Sequence, residues 1–408
     1  LAGVSKTLTA NARYLARGRA PALVVGTGSN GISFIKSLGR KGVPVIAMDT
    51  WMQAGMFSRY CLPLVLPDPA EAEEAFLTSL REIGEALPVR GVLITTTDAS
   101  ALLVSKHRSV LSRHFDFTVA DHDTIRRLAN KKLQYEDAQR LGIAIPATHF
   151  PSEVPIEEIA REIPYPCIIK PNVSHLWGAF LKDHAGLGWG KAREARSPAE
   201  LIRFHEEMET SGVDLMVQER IGGGDDQLYG LLTYLNGSSE PMAVFTKRKL
   251  RQFPRYYGNG SVQVGLWEPE VAELGLRLLR GLKYRGIAGV EFKRDPRDGA
   301  FKLMEINPRS ISQTYHAVAS GVDVPYVAYC DARGEKVPTL PPFREGVKWI
   351  SFEKDLQSFL QYRRDGDLEL SGWLRSWRGE RCYAYFTWDD PLPAVAGLWQ
   401  FARSRLPR

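Results

Sequence analysis

Several common classes of protein are excluded by what this 408-residue sequence lacks. No apolar run approaches the ~20 residues a membrane helix needs, so no membrane insertion is expected. There are only four cysteines, Cys61, Cys167, Cys330 and Cys382, far apart and without a CxxC pair. That argues against a zinc site and a disulfide scaffold, and fits a reducing cytoplasm. Basic runs are absent too: the net charge of +6 is spread along the chain, which predicts no nucleic-acid groove and suits anionic small molecules. The arginines within residues 7–20 are followed by no apolar segment before Pro21, so a signal peptide is not expected. No internal repeat, low-complexity tract or persuasive Ser/His/Asp or Cys/His set is visible.

What is present is ordinary for a globular protein: 44% hydrophobic and 25% charged residues. The length exceeds one ordinary core, so two or three domains are expected, at 1–120, 121–335 and 336–408. Pro21 to Gly26 reads as a short buried strand, followed by the loop GTGSNG, a helical pattern and a second strand, Pro44 to Asp49. This is a βαβ opening. Gly26, Gly28 and Gly31 satisfy GxGxxG and Asp49 stands near the place of a ribose-binding acid. The same glycines serve equally to make a tight strand-to-helix turn. A helix over residues 71–87 and a strand from Gly91 to Thr95 lead to Asp98, which reads either as a substrate contact at a carboxyl edge or as the cap of a helix starting at Ala99. Asp121 to Leu141 carries a helical pattern that stops at Gly142 and Pro146.

After Pro146 the texture becomes α+β. A strand ends at Lys170-Pro171, a helix runs from Ser197 to about Gly212, and strands cover Leu215–Glu219, Leu228–Leu235 and Met242–Lys247. A helix is expected near Glu268 to Leu282 and another from Tyr326 to Ala332. Gly334 to Gly346 reads as a linker. Residues 347–408 carry five tryptophans, two strand-like stretches and a basic helix, Leu392 to Arg408, expected to pack on its own domain rather than on a membrane surface.

The chemistry concentrates in Gly286 to Ser310. Two apolar runs flank Asp295-Pro296-Arg297-Asp298-Gly299, which predicts a β-hairpin. If Asp295 pairs with Phe301, Glu291 lies opposite Glu305, and Asn307 joins their face by the period of two. Such a set is either a solvated hairpin or a seat for a hard divalent cation, which takes oxygen ligands from carboxylates and phosphates. Lys131 at a helix start and Lys170 at the end of a buried strand could each hold phosphate or simply be solvated. Arg220, in Gln218-Glu219-Arg220-Ile221 before a triple glycine, marks either a hinge beside a purine or an ordinary strand and loop.

The order Lys131, GIAIP, CIIKP, VQERIGGG, GVEF and MEINPR resembles the ATP-grasp superfamily, and within it carboxylate–amine ligases of the D-aspartate ligase and amino-acid ligase type. The match spans roughly residues 21–335. The resemblance implies an α/β and α+β architecture: an N-terminal Rossmann-like domain that does not bind NAD, a two-subdomain ATP-binding module with its lid at about 146–216, and a small C-terminal α+β domain. It implies that Lys131 and Lys170 bind the ATP phosphates, that Glu219, Arg220 and Ile221 form the adenine hinge, and that Asp226 or its neighbour Asp225 holds the ribose. Glu291, Glu305 and Asn307 match the ligands of two Mg²⁺ ions, for which Mn²⁺ could substitute. Arg309, Lys249 and Arg251 match the basic groups around the transferring phosphate and the substrate carboxylate.

The implied reaction is ATP-dependent amide or peptide bond formation through an acyl phosphate in the cytoplasm, on small-molecule carboxylate and amine substrates, with a homodimer as a possible assembly. Carboxylation, kinase activity and a Rossmann oxidoreductase are the alternatives. Asn130 stands where many relatives have Asp, and the loop Ser174 to Gly190 departs from the compact glycine clamp. Its His175, Trp177, Lys182 and Trp189, with Gly186, Gly188 and Gly190, form either a cover over ATP or a surface loop. His316 reads as a pocket wall rather than a base.

Overall fold

The structure is a computed structural model that describes residues 7–16, 18–173, 192–209 and 212–403. The loop Ser174 to Gly190 and the last five residues lie outside them. Three sheets organise the described residues. The first is parallel, in the order β3 (Leu62–Val65), β2 (Val45–Asp49), β1 (Ala22–Val25), β4 (Gly91–Thr95), β5 (Phe115–Phe117). β1 and β4 are buried throughout, as continuous apolar runs in a parallel sheet should be. Strand order reverses at β1, so the loops after β1 and β4 open on one crevice. β3 and β5 are too short and irregular in pattern to have been expected.

The second sheet is small and antiparallel, β6 (Thr148–His149), β9 (Leu215–Glu219), β7 (Cys167–Pro171), β8 (Arg193–Ala195). With the helices Ile156–Glu162 and Pro198–Glu209 it encloses a core of its own, including Ile159, Cys167, Ile169, Leu201 and Val217. The third sheet has seven strands: β14 (Phe301–Asn307), β13 (Gly286–Arg294), β10 (Leu228–Leu235), β11 (Pro241–Phe253), β12 (Asn259–Gly265), β15 (Lys348–Ile350), β16 (Arg381–Tyr383).

Two packing relations cross the expected domain bounds. One core runs from Leu23 and Leu93 of the first sheet through Ile125 and Leu128 to Leu231 and Phe292 of the third. The first and third sheets therefore share one packed core, while the second sheet has a core of its own. The segment after residue 346 joins the same body. β15 pairs with β12 and β16 with β15, so this segment completes the third sheet. Phe343 of the expected linker packs on Phe245, ring centroids 4.9 Å apart. An open β-edge is satisfied by the next strand-compatible stretch the chain offers, Lys348–Ile350.

Smaller differences follow local chemistry. The Asp121–Leu141 pattern is two helices, His122–Ala129 and Lys131–Arg140, broken at Asn130, whose side chain accepts from Leu133 N at 3.2 Å. In the hairpin Glu291 does oppose Glu305, but a bulge at Met304 makes Arg294, not Asp295, the partner of Phe301.

Candidate functional site

A cavity of about 670 Å³ lies where the three sheets meet. The loops after β1 and β4 contribute Asn30 and Asp98, the helix start contributes Lys131, and the small sheet contributes Lys170. From the large sheet come Lys247, Lys249 and Gln252 of β11, Glu291 of β13, and Glu305 and Asn307 of β14, with Arg309 and Gln313 just beyond. Five lysines and arginines face three carboxylates, a balance that draws in a polyanion.

The paired carboxylates behave as like charges on one face must. Each is held by an ammonium group: Lys249 Nζ is 2.9 Å from Glu291, and Lys131 Nζ is 3.4 Å from Glu305. All the oxygen donors are hard, two carboxylates and the Asn307 amide, which is the set a Mg²⁺ ion shares with phosphates. No group of three or more His, Cys, Asp or Glu side chains with metal-site geometry occurs among the described residues. The site thus fits an ion that relies on substrate oxygens rather than a protein cage.

Lys170 is half-buried at the residue level, its Nζ 3.0 Å from Gln218 Oε1. Burial, and secondarily the charge of Lys131, push its ammonium down to about 7, with Glu305 acting the other way. Lys247 shares this condition. Its Nζ donates to Gln263 at 2.6 Å and Gln313 at 3.2 Å, and burial pushes it down to about 7 as well. Both are cations short of an anion. Lys247 was missed in the sequence, although stepping back two residues from Lys249 along the strand would have found it.

Arg309 is gripped by Asp98 through two bonds of 2.7 and 2.9 Å. Asp98 is not a helix cap: Thr97 caps the helix Asp98–Lys106, accepting from Ser100 N. Its carboxylate is left to orient the arginine in the cavity wall.

Arg251 is elsewhere, and its expected role at the phosphate is corrected. Register shifts in the β11–β12 pair between Lys249 and Gln252 turn it away from the cavity. There it forms a buried bidentate pair with Asp355 at 2.9 and 3.0 Å. Asp355 also accepts from Ser261, Trp373 and Trp377. The group is a strut between β11 and the helix Phe352–Arg364.

The expected hinge residues do not line the cavity. Glu219 is buried and accepts from Ala147 N, Arg297 and Lys302 at 3.1, 3.0 and 3.2 Å, tying the small sheet to the hairpin. Arg220 lies 3.3 Å from Glu194 with its guanidinium over Tyr256, and the Ile221 carbonyl accepts from Lys293 at 2.9 Å. Asp226 is exposed. Its neighbour Asp225 is buried, bonded by Gln252 Nε2 at 2.7 Å, Tyr256 N and Tyr362. His316 is fully buried behind β11, 2.8 Å from the Val347 carbonyl, and burial holds it down to about 3, so it is neither a cavity wall nor a base.

The glycine loop is closed on itself. Thr27 donates its backbone N–H and hydroxyl to Asp49 at 2.6 and 2.9 Å, and Gly55 N donates to the Thr27 carbonyl at 3.1 Å. A side chain on Gly31 would lie 2.0 Å from the Gly26 carbonyl. The acid that would take a ribose and a donor that would take a pyrophosphate are already spent on each other. Asn30 instead reaches the Thr96 carbonyl at 2.8 Å and Ser312, docking the loop on the segment that carries Arg309.

Comparison with known proteins agrees with this geometry. Residues 231–354 match a family described as ATP-grasp in the biosynthetic pathway with Ter operon. The chain is 26% identical over 291 residues to a D-aspartate ligase of Enterococcus faecium, covering 68% of this chain and 67% of that one. Among solved structures it resembles an L-amino acid ligase from Bacillus licheniformis, with TM-score 0.56 and 14% identity over 77% of this chain and 74% of that one. It also resembles the biotin carboxylase domain of 2-oxoglutarate carboxylase from Hydrogenobacter thermophilus, solved with MgADP, with TM-score 0.59 and 16% identity over 80% of this chain and 73% of that one. The matched segment, the ligase relative and the shared fold thus all make the chain similar to ATP-grasp proteins of the ligase type.

Proposed function

We propose that the protein joins a carboxylate to an amine through an acyl phosphate, releasing ADP and phosphate. The observation that carries this is the placement of Glu291 opposite Glu305, with Asn307 in the same wall, inside a cavity ringed by Lys131, Lys170, Lys249 and Arg309. Glu291, Glu305 and Asn307 would hold Mg²⁺, which, bound there, neutralises charge on the ATP phosphates.

Lys131 and Lys170 bind the phosphates, and the charge they meet there relieves two crowded cations. A substrate carboxylate oxygen attacks the γ-phosphorus and ADP leaves. Lys249 and Arg309, the latter steadied by Asp98, face the charge spread over the transferring oxygens. The amine nitrogen then attacks the acyl carbon, phosphate leaves, and the amine gives up its proton. No side chain becomes covalently attached. The end of the cavity bounded by Lys247, Gln313 and Asn30 is left for the substrates. The small sheet, with its separate core, is the part able to close and exclude water, which would hydrolyse the acyl phosphate.

Incubation with MgATP and a panel of amino acids and small acids, read by mass spectrometry, should yield ADP and a condensed amide. Glu305→Ala should lower ADP release by more than the ~100-fold that loss of a metal's outer partners costs, with the circular dichroism spectrum unchanged. Undiminished turnover in that variant would overturn the assignment, and a carboxylated or phosphorylated product would move the protein to another reaction of the same fold.

A further inference from the structure

The helix Leu392–Arg403 is turned inside out. It sits on the short turn Ala54–Phe57 through small and polar residues. A side chain at Gly397 would meet Ala54 and Tyr385, Gln400 Nε2 donates to the Met52 carbonyl at 2.8 Å, and Pro393 is its only buried residue. Phe401 is half-buried, but the other large apolar residues face outward. Leu392, Val395, Leu398 and Trp399 are all exposed. At about 100° per residue they fall, with Ala402, on one stripe opposite Gln400.

Around this stripe Trp51, Met52 and Phe57 are exposed as well, and Trp388, just before the helix, is 92% exposed. Single exposed apolar residues are ordinary, but eight gathered on and beside a helix whose polar side faces the protein mark a surface meant to be covered.

The charge around the stripe says by what. Pro391 to Arg403 contains no acid, and Arg403 lies 5.3 Å from the centre of the Trp399 ring. Arg405 and Arg408 follow in the sequence. The nearby acids are engaged: Asp389 by Arg40 and Tyr60, Asp390 by Ser58 and Arg59. A second copy of the chain would cover the leucines but bring no unengaged acid from this face to the arginine. Leucine, tryptophan and arginine on one face of a short helix is the composition of a membrane-interface contact. The apolar side chains enter the acyl boundary, tryptophan sits at headgroup level, and arginine meets an anionic headgroup. No helix among the described residues is long and apolar enough to cross a membrane, so such a contact would lie on the surface.

We propose that this face docks the enzyme on the surface of an anionic lipid bilayer. No residue of the helix lines the cavity, so the proposal stands apart from the reaction assigned above.

The test is sedimentation of the full chain with vesicles of phosphatidylcholine, alone and with phosphatidylglycerol. The wild-type protein should sediment with the anionic vesicles, less so as salt is raised, because the arginine contribution is screened. Replacing Leu392, Val395 and Trp399 together by Ser should cut the bound fraction about tenfold or more, with the affinity for a fluorescent ADP analogue unchanged. Arg403→Glu should weaken binding only to the anionic vesicles. Wild-type protein that stays in the supernatant, or a triple variant that sediments as well as wild type, overturns the proposal. So does a wild-type dimer indifferent to vesicles that the triple variant makes monomeric, which would give the face to a second copy.

Discussion

The hairpin β13–β14 and the strand β11 face the same cavity, and both carry polar or charged residues at a spacing of two, Glu305 and Asn307 in one, Lys247, Lys249 and Arg251 in the other. In the hairpin the spacing holds. Glu291 meets Glu305, Asn307 joins the same cavity wall, and the bulge at Met304 falls between this face and the turn, where it disturbs only the turn end. In β11 the spacing holds for Lys247 and Lys249 and then fails, because two register shifts turn Arg251 to the other side. Two strands of one sheet thus treat the same pattern differently. A tight local turn sets the register of the hairpin, whereas β11 bends to meet a partner about a hundred residues later in the chain, Asp355.

That contrast can be broken in several ways. The largest effect is expected at Arg251. Arg251→Met leaves Asp355 buried without its cation and should lower unfolding stability by about 3–5 kcal/mol in urea titration. A variant as stable as wild type but lacking turnover would return Arg251 to the catalytic group. Lys249→Met should do the reverse, cutting ADP release by about 100- to 1000-fold. It should change stability by less than about 1 kcal/mol, since Glu291 faces the cavity and is left to water.

Lys247→Met, on the same face, sharpens the comparison within the strand. It should raise KM for the second substrate about tenfold, the worth of one charge-assisted hydrogen bond, while leaving KM for ATP in place. An effect seen only in acid concerns His316, behind β11, which the fold holds at about 3 although the unfolded imidazole titrates near 6.5. Between those values the unfolded chain binds the extra proton, so this contribution is intact above pH 6.5 and is lost as pH falls. The slope is about 1.4 kcal/mol per pH unit. In His316→Asn that slope should be missing from stability measured between pH 6.5 and 4.

Much of the site was legible because its signals are local. Lys131 follows a break that Asn130 caps, Lys170 ends a buried strand, and the hairpin acids are separated by one turn. Where a residue's meaning depended on what lay across from it, the sequence misled. GTGSNG with Asp49 looks like a dinucleotide loop until Asp49 is seen holding Thr27. The carboxylate of Glu219, in the expected hinge, is taken by Arg297 and Lys302 from the hairpin, a partnership no local pattern announces. The basic C-terminal helix was expected to pack on its own domain, yet it packs on the distant turn Ala54–Phe57 with its small residues inward.

By itself, then, the sequence determined the buried parallel strands, the α+β texture after Pro146 and the facing acids of the hairpin, because periodicity and turn chemistry act over a few residues. Tertiary structure alone decided that the first and third sheets share one core and that β15 and β16 finish the large sheet. It also decided that Arg251 leaves the cavity and that the last helix shows its tryptophan to solvent. Each of these depends on which distant segment offers a strand edge, a counter-charge or a packing face, and no short window of sequence contains that partner.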